Sequence, residues 1–313
     1  MKLTRREIVK LGAAAGAAAA IDPRALVGRG VLSGRIEGPR TRPIPSTGER
    51  IPVVGIGTAR RYDVGTSEAE RQPLQNTLEV FRELGGTVVD TAPSYGNAET
   101  VVGDLVHELG IRDELFFSTK VRTEGRDEGL AEIDRSFARL QTDTFDLLQV
   151  HNLVDTGTQL ATLREMKETG RIRYIGITTS SGRQYEEFAA VMRRETLDFI
   201  QVNYSLASRG AADEILPLAA DRGMAVLANL PYGRGRLFGA VGDRPLPDWA
   251  AEFDCESWGQ FFLKYILGHP AVTCVIPGTA KPSYAADNMG AAMGGLPDAA
   301  MRKRMEEFYD SLS

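Results

Sequence analysis

Four side chains suited to acid–base chemistry lie at or just after the ends of three successive apolar runs in the chain. Asp90, Lys120 and His151 are each the last residue of such a run, and Tyr95 follows Asp90 within a short Pro- and Gly-containing segment. Burying an unpaired carboxylate or ammonium is strongly unfavourable, so Asp90 and Lys120 are predicted to pair. A carboxylate, a phenol, an ammonium and an imidazole gathered at one place can exchange protons and hydrogen bonds with a bound molecule.

The runs that carry these residues belong to a longer alternation of apolar and amphipathic stretches. Each run is four to six residues long and suits a strand buried on both faces of a parallel sheet. The predicted strands are Val53–Ile56, Thr87–Asp90, Leu115–Lys120, Asp146–His151, Tyr174–Thr178, Phe199–Asn203, Met224–Asn229 and Val272–Ile276. The predicted helices are Glu68–Leu84, Ala98–Leu109, Leu130–Leu140, Gln159–Thr169, Gln184–Arg194, Ala212–Arg222, Glu256–Leu267 and Ser283–Met293.

Eight strand–helix units predict an α/β fold of the (β/α)8 TIM-barrel class. A doubly wound open sheet would use the same alternation, but Gly55-Ile56-Gly57-Thr58 lacks the third glycine of a dinucleotide-binding turn. The carboxyl ends of parallel barrel strands meet at one rim, where function collects. Asp90, Tyr95, Lys120 and His151 are therefore expected to lie together there.

Each of the four residues also has a purely structural interpretation. Asp90 and Lys120 could form an ion pair that only supports the barrel mouth, His151 could be a satisfied core histidine, and Tyr95 could be a turn aromatic. Their joint placement on three successive strand ends favours a functional site over coincidence.

The composition narrows the function further. The 313 residues carry a formal net charge of -5, which gives no basic footprint for nucleic acid. No stretch approaches the roughly 18 apolar residues of a spanning helix, so no stable membrane insertion is expected. Cys255 and Cys274 are too few for a disulfide framework and lack zinc spacing, although a single bridge between them stays open. No metal site is expected.

The first twenty residues read as an export signal rather than as part of the fold. A basic start precedes a weakly apolar stretch rich in Ala and Gly, which is typical of such signals. Thr4-Arg5-Arg6-Glu7-Ile8-Val9-Lys10 resembles the twin-arginine pattern Ser/Thr-Arg-Arg-x-apolar-apolar-Lys. Residues 1–20, or up to Ala25, are thus assigned to the signal, 21–41 to a linker and 42–313 to the barrel. The alternative is an Ala-rich helix capping the protein.

The expected location depends on that signal. With it, the protein is periplasmic or otherwise exported. If the signal is misread, the protein is cytoplasmic.

From about residue 42 to residue 312, the chain resembles the aldo/keto reductase family. The resemblance is carried by several motifs in the expected order. These are Pro43-Ile44-Pro45-Ser46-Thr47-Gly48, Asp90-Thr91-Ala92-Pro93-Ser94-Tyr95-Gly96, Ser118-Thr119-Lys120, Asp146-Leu147-Leu148-Gln149-Val150-His151, and Ile276-Pro277-Gly278-Thr279 with Asp287-Asn288.

The resemblance implies an oxidoreductase that interconverts a carbonyl compound and an alcohol by hydride transfer with NAD(P)(H). It assigns Tyr95 as the proton donor to the carbonyl oxygen, with Lys120 expected to lower the pKa of its phenol and desolvation expected to oppose that shift. Asp90 holds Lys120 in place, and His151 orients the carbonyl. The substrate is an unidentified small-molecule aldehyde, ketone, sugar or alcohol, and the oligomeric state is open.

The resemblance also implies a cofactor-binding set, with two departures from the family pattern. Thr178-Thr179 stand where a Ser-Asn pair is usual, and Asn229 stands where an aromatic residue stacks on the nicotinamide, so that Tyr232 or Tyr204 would have to substitute. NADP is favoured because the family commonly uses it, and NAD is possible. The family's NADP binders place basic residues at the positions of Gly278 and Tyr284, and here Lys281 is the one basic residue between them. The implied set is Thr178, Thr179, Gln201, Asn229, Leu230, Tyr232, Gly233, Arg234, Gly278, Thr279, Lys281, Asp287 and Asn288.

Two other functions compete with this interpretation. Asn229 and Thr179 favour a catalytically weak barrel that binds nicotinamide or a sugar as a sensor or partner subunit. A hydrolase using Asp90 is weaker, because no second rim carboxylate is placed for it. Candidates for an aromatic substrate wall are Tyr62, Trp249, Phe253 and Trp258, and packing is an equally good interpretation of each.

Overall fold

The computed structural model describes residues 38–312. The predicted export signal at 1–20 and the linker up to residue 37 lie outside these residues. The barrel begins within the described part of the chain.

Eight parallel strands form a closed barrel. Each strand pairs with the next in chain order, and the first and last meet where Gly55 N–H donates to the Val275 carbonyl at 2.9 Å and Gly57 N–H donates to the Pro277 carbonyl at 3.0 Å. This confirms the predicted (β/α)8 fold. The barrel strands are β3 (Ile56–Gly57), β4 (Val88–Asp90), β5 (Phe116–Val121), β6 (Phe145–His151), β7 (Ile172–Thr178), β8 (Phe199–Asn203), β9 (Ala225–Asn229) and β10 (Cys274–Val275).

The first barrel strand is shorter than predicted, and it contains the closest backbone approaches of the closure. A side chain at Gly57 would place its Cβ 2.9 Å from the Ile276 carbonyl oxygen. A Cβ added at Gly55 would lie 2.8 Å from the Val88 carbonyl oxygen. Only glycine allows the backbones to meet this closely on both sides, so these two residues permit the ring to close.

An antiparallel hairpin covers the amino-terminal end of the barrel. Its strands are β1 (Thr41–Pro43) and β2 (Arg50–Pro52). Ile44 and Ile51 of the hairpin pack with inward-facing strand residues such as Phe116 and Leu147 in one buried apolar cluster. The hairpin therefore closes the floor of the barrel, and the opposite rim carries the polar strand ends.

Helices follow the strands and bury one face each against the outside of the barrel. They are α1 (Glu68–Glu83), α2 (Ala98–Leu109), α3 (Arg126–Leu140), α4 (Thr156–Glu168), α5 (Tyr185–Arg194), α6 (Ile215–Asp221), α7 (Arg236–Val241), α8 (Trp258–Leu267), α9 (Pro282–Gly290) and α10 (Ala299–Asp310). Sequence patterning missed α10, because Met305 is its only buried residue and leaves almost no apolar stripe. Its start is fixed by Asp298, whose carboxylate accepts from Met301 N–H at 2.8 Å.

Both cysteines are free and buried. Cys274 lies in β10 within the inner apolar cluster, whereas Cys255 precedes α8, so the open question of a bridge is answered against it. Within residues 38–312, no three His, Cys, Asp or Glu side chains come together as a metal site. None of the helices described is both long enough and apolar enough to cross a bilayer.

Candidate active site

The structure brings all four predicted catalytic side chains to the carboxyl-terminal rim. Asp90 and His151 end β4 and β6, and Lys120 is the last inward-facing residue of β5. Side chains alternate along a strand, so Lys120 follows Ser118 on the inner face. The rule that strand ends share a rim is thus sufficient to assemble the cluster.

Asp90 and Lys120 form a buried ion pair, as predicted. The Lys120 Nζ lies 2.8 Å from each Asp90 carboxylate oxygen and 2.7 Å from the Thr91 carbonyl oxygen, so all three ammonium protons have acceptors. Lys120 is 1% exposed. Burial lowers the pKa of Lys120, but Asp90 raises it and the net direction is upward, so the ammonium stays charged.

Tyr95 lies between this pair and the imidazole. Its ring centroid is 5.3 Å from Lys120 Nζ and 6.1 Å from the His151 ring, which meets it edge to face. Burial raises the pKa of Tyr95, Lys120 opposes that shift and Asp90 adds to it, with a net rise. Lys120 thus lowers the pKa of Tyr95, as expected, but desolvation is the larger effect and Asp90 offsets part of the ammonium charge. Tyr95 is a protonated phenol.

His151 is a neutral imidazole at the same rim. It is 8% exposed, and burial together with the charges of Lys120 and Arg122 lowers its pKa to about 3. Its Nδ1 has no hydrogen-bond partner within the described residues. A neutral imidazole keeps one N–H donor, so His151 can hydrogen-bond a carbonyl oxygen over the whole physiological pH range.

A buried polar network below the rim orients the ion pair. The Asp90 carboxylate also accepts from Ser118 Oγ at 2.9 Å and from Gln201 Nε2 at 3.3 Å. Gln149 Nε2 donates to Ser118 Oγ at 3.1 Å and to Gln201 Oε1 at 2.8 Å. Sequence reasoning missed Ser118 and Gln149 as members of the site, although both face inward on strands already assigned to it. Gln201, predicted to contact cofactor, is here bonded to Asp90 and Gln149.

The threonines after β7 are similarly engaged within the protein. Thr178 is buried at the end of β7. The Thr179 hydroxyl donates to Gln184 Oε1 at 2.6 Å and accepts from Ser181 N–H at 3.1 Å, which shapes the turn leading to α5. Their role toward a cofactor stays a prediction.

Two unpartnered amide oxygens stand at the ends of β8 and β9. Asn203 and Asn229 are register partners on these adjacent strands. Asn229 Nδ2 donates to the Thr179 carbonyl at 3.0 Å and Asn203 Nδ2 donates to Ser208 Oγ at 3.0 Å, which leaves both Oδ1 atoms buried with no donor in the described structure. Such acceptors fit the NH₂ of a nicotinamide carboxamide. Sequence reasoning omitted Asn203, whose position at a strand end was the available signal.

The loop after β9 is bonded to the segment after β10. Tyr232 donates its hydroxyl proton to Asn288 Oδ1, and Asn288 Nδ2 donates to Thr279 Oγ1 at 2.9 Å. Four residues of this loop are left-handed: Leu230 at φ 51°, Gly233 at φ 56°, Arg234 at φ 59° and Gly235 at φ 92°. The Tyr232 ring packs on Phe238 and Phe262, so it supports the loop from behind.

The remaining predicted cofactor residues divide into structural and exposed groups. Asp287 accepts from Ser257 Oγ at 2.8 Å and from Gln260 Nε2 at 3.1 Å, which ties α9 to the start of α8. Gly278 and Lys281 are exposed, and the Lys281 Nζ lies 5.3 Å from the Tyr284 ring centroid.

A basic residue from the opposite side of the seam joins this segment. Arg61, in the loop after β3, lies with its Cγ 3.6 Å from where a Gly278 Cβ would stand. Its part in the site was not apparent from the sequence, since only barrel closure brings residues 61 and 278 together.

The structure decides two questions about aromatic side chains that the sequence left open. Tyr204 is fully buried against Tyr265 and bonded by Arg302, so it cannot stack on a ring bound at the rim. Tyr62 is also fully buried. The other wall candidates pack into an aromatic cluster between α8 and α10, and a cluster packed in this way is not an open wall. Its members are Trp249, Phe253, Trp258, Phe261, Phe262 and Phe308.

Comparison with known proteins identifies the family. The sequence model of the aldo/keto reductase family matches residues 53–309, which is most of the chain. The chain belongs to the aldo/keto reductase family. It is accordingly an oxidoreductase that interconverts a carbonyl compound and an alcohol by hydride transfer with a nicotinamide dinucleotide.

Individual relatives agree with this assignment. The aldo-keto reductase YhdN of Bacillus subtilis is 31% identical over 213 residues. The matched region covers 63% of each protein, so it spans less than two thirds of the length of YhdN. The methylglyoxal reductase YeaE of Escherichia coli is 28% identical over 245 residues, covering 76% of this chain and 84% of its own. An aldo-keto reductase of Klebsiella pneumoniae, solved with NADPH, superimposes with a TM-score of 0.73 at 24% identity, covering 87% and 96% of the two chains.

The lowered pKa of His151 predicts that its imidazole stays neutral down to about pH 3 and that protein stability depends on pH below about 6.5. The folded protein takes up this proton only near pH 3, whereas the unfolded chain takes it up below about 6.5. Neutral His151 therefore contributes stability above about pH 6.5, and that contribution falls by up to about 1.4 kcal/mol per pH unit as the pH drops toward 3.

NMR of the imidazole carbons, with His151→Asn to assign the signal, measures this titration. We expect no His151 titration between about pH 5 and 8. A midpoint near 6.5 would contradict the assignment of a neutral, desolvated imidazole.

Proposed function

We propose that Tyr95 is the proton donor of the reaction, that His151 orients the carbonyl oxygen and that Lys120 stabilises the phenolate left after proton transfer. The observation that carries the proposal is the position of a protonated phenol between a charged ammonium and a neutral imidazole. Bound NAD(P)H supplies the hydride. Tyr95 gives its hydroxyl proton to the carbonyl oxygen, and His151 donates a hydrogen bond that orients that oxygen.

The ammonium of Lys120 matters most once Tyr95 has lost its proton. The phenolate then faces a cation that Asp90, Thr91 and the network below hold in a fixed position. A preorganised charge of this kind stabilises the phenolate without reorganisation during the reaction. In the reverse direction the same phenolate accepts the alcohol proton.

The cofactor is NADP, held between the ends of β8–β10 and the loops that follow them. The free amide oxygens of Asn203 and Asn229 would accept from the nicotinamide carboxamide. Asn229, in place of a stacking aromatic residue, is thus suited to bind the nicotinamide. This removes the main argument for the competing hypothesis of a catalytically weak sensor. Lys281 and Arg61, exposed on either side of Gly278, are suited to phosphate groups, and the Klebsiella relative carries NADPH.

The protein is exported by a twin-arginine signal. The support is the match of Thr4–Lys10 to that pattern, including the paired Arg5 and Arg6, followed by an Ala- and Gly-rich stretch. The compact unit that carries the fold begins at Gly38. The substrate would then be a carbonyl compound or alcohol met outside the cytoplasm.

Tyr95→Phe tests the assigned proton donor. Removing only the hydroxyl should lower kcat for carbonyl reduction by about 10²–10⁴-fold, because no proton then neutralises the negative charge that develops on the carbonyl oxygen. Tyr309→Phe, a matched change on α10, should leave kcat unaltered. Near-normal turnover by a folded Tyr95→Phe protein would overturn the mechanism.

Lys281→Ala tests the phosphate contact. It should raise the Kd for NADPH by about 10-fold, as expected for loss of one charge-assisted contact, and leave the Kd for NADH within about 2-fold. Fluorescence titration with both nucleotides measures this, with the exposed Lys303→Ala on α10 as the control. A preference for NADH that Lys281→Ala does not alter would show that Lys281 reads no phosphate.

Replacing Arg5 and Arg6 by lysine tests the export signal. The Lys-Lys variant should accumulate inside the cell as folded, full-length protein, whereas the native sequence should appear outside the cytoplasm in shortened form. Fractionation followed by mass spectrometry of the amino terminus measures both outcomes. Unchanged export of the Lys-Lys variant would show that the signal was misread.

A further inference from the structure

Arg122 lies beside His151 at the mouth of the barrel. The register between β5 and β6 pairs Lys120 with Gln149 and Val121 with Val150, so the next step sets Arg122 next to His151. Ser118 and Lys120 face inward on β5, and Arg122 is the next residue in that alternation, directly after the strand ends at Val121. The effect of its charge on the pKa of His151 agrees with a place on the inner side of the rim. It is therefore the cation one layer above the Asp90–Lys120 pair.

The guanidinium of Arg122 is available to a ligand. Arg122 is exposed, and its side chain makes no ion pair within residues 38–312. The neighbouring carboxylate of Glu132 is taken up by the Arg122 backbone N–H, not by the guanidinium. Asp90, the carboxylate at the centre of this rim, is already neutralised by Lys120. The charge of Arg122 nevertheless reaches the site, since it contributes to the lowered pKa of His151.

The cofactor and Arg122 occupy different parts of the rim. The free amide oxygens and the residues suited to phosphate lie at β8–β10 and at the closing seam. Tyr95, His151 and Arg122 lie at β4–β6. A carbonyl compound whose oxygen contacts Tyr95 and His151 therefore lies next to Arg122 on the β5–β6 side of the rim.

We propose that this enzyme acts on carbonyl compounds that carry a carboxylate, and that Arg122 binds that carboxylate. The planar guanidinium offers a pair of parallel donors that match the two carboxylate oxygens. The carboxylate takes no part in the bond changes, which remain hydride addition to the carbonyl carbon and proton transfer from Tyr95 to its oxygen. Arg122 is thus a specificity residue, and this assignment rests on the proposed function.

The test compares each acid with its own methyl ester, so that the carbonyl is kept and only the charge is removed. The probes are 4-oxobutanoate and 4-carboxybenzaldehyde, each with its methyl ester, assayed by NADPH oxidation. We expect wild-type kcat/KM to favour the acids. Arg122→Met should lower the acid-to-ester ratio of kcat/KM by about 10- to 100-fold, the range for losing a hydrogen-bonded charge pair, mainly through KM. Arg122→Lys should retain part of the preference, because it keeps a point charge but not the fork.

Arg135→Met is the matched control, since Arg135 is exposed on α3 and the change removes the same charge far from the rim. It should leave the acid-to-ester ratio unchanged. Equal wild-type activity on acids and esters, or a ratio that Arg122→Met does not move, would overturn the carboxylate assignment while leaving the reductase intact. A wild-type protein that reduces other aldehydes but none of these four would also overturn the carboxylate assignment, whereas one that reduces no carbonyl compound would overturn the proposed function.

Discussion

The ion pair between Asp90 and Lys120 is the interaction on which the rest of the site depends. Two opposite charges taken out of water are stable only if their geometry is good and their remaining hydrogen-bonding capacity is used. Here all three Lys120 ammonium protons have acceptors, and the Asp90 carboxylate also accepts hydrogen bonds from Ser118 and Gln201. Removing one partner of such a pair costs about 3–5 kcal/mol, because the other charge is left buried and uncompensated. The pair is therefore a fixed part of the fold and a fixed source of charge for the phenol above it.

The barrel provides this geometry through constraints distant from the chemistry. Gly55 and Gly57 allow the first strand to approach its neighbours closely enough for the ring to close, and closure brings the β10 segment beside the first loop. The floor is filled by large apolar side chains such as Phe116 and Phe199, so polar residues are confined to the opposite end. Along β5, for example, Phe116 belongs to the apolar floor, and Ser118 and Lys120 belong to the polar network.

Sequence reasoning predicted the parts of the site that depend on chain-local patterns. Asp90, Lys120 and His151 were found because each ends an apolar strand, and the barrel rule alone brings such ends together. Long-range partners were not predictable in this way. Nothing near Thr179 in the sequence shows that its hydroxyl is taken by Gln184, and nothing near Tyr204 shows that Tyr265 covers it. The opposing effects of Lys120 and of burial on the pKa of Tyr95 were both foreseeable, but their balance was not, because burial depends on the packing of the whole rim.

The hydrogen bonds from Tyr232 to Asn288 and from Asn288 to Thr279 have a kinetic consequence. The first bond connects the loop after β9 to the segment after β10, and the second braces that segment internally. The loop and the segment can separate only when the bond from Tyr232 to Asn288 breaks. Local opening of the loop is therefore coupled to the segment on the neighbouring strand. Entry and exit of a dinucleotide would both depend on breaking that bond.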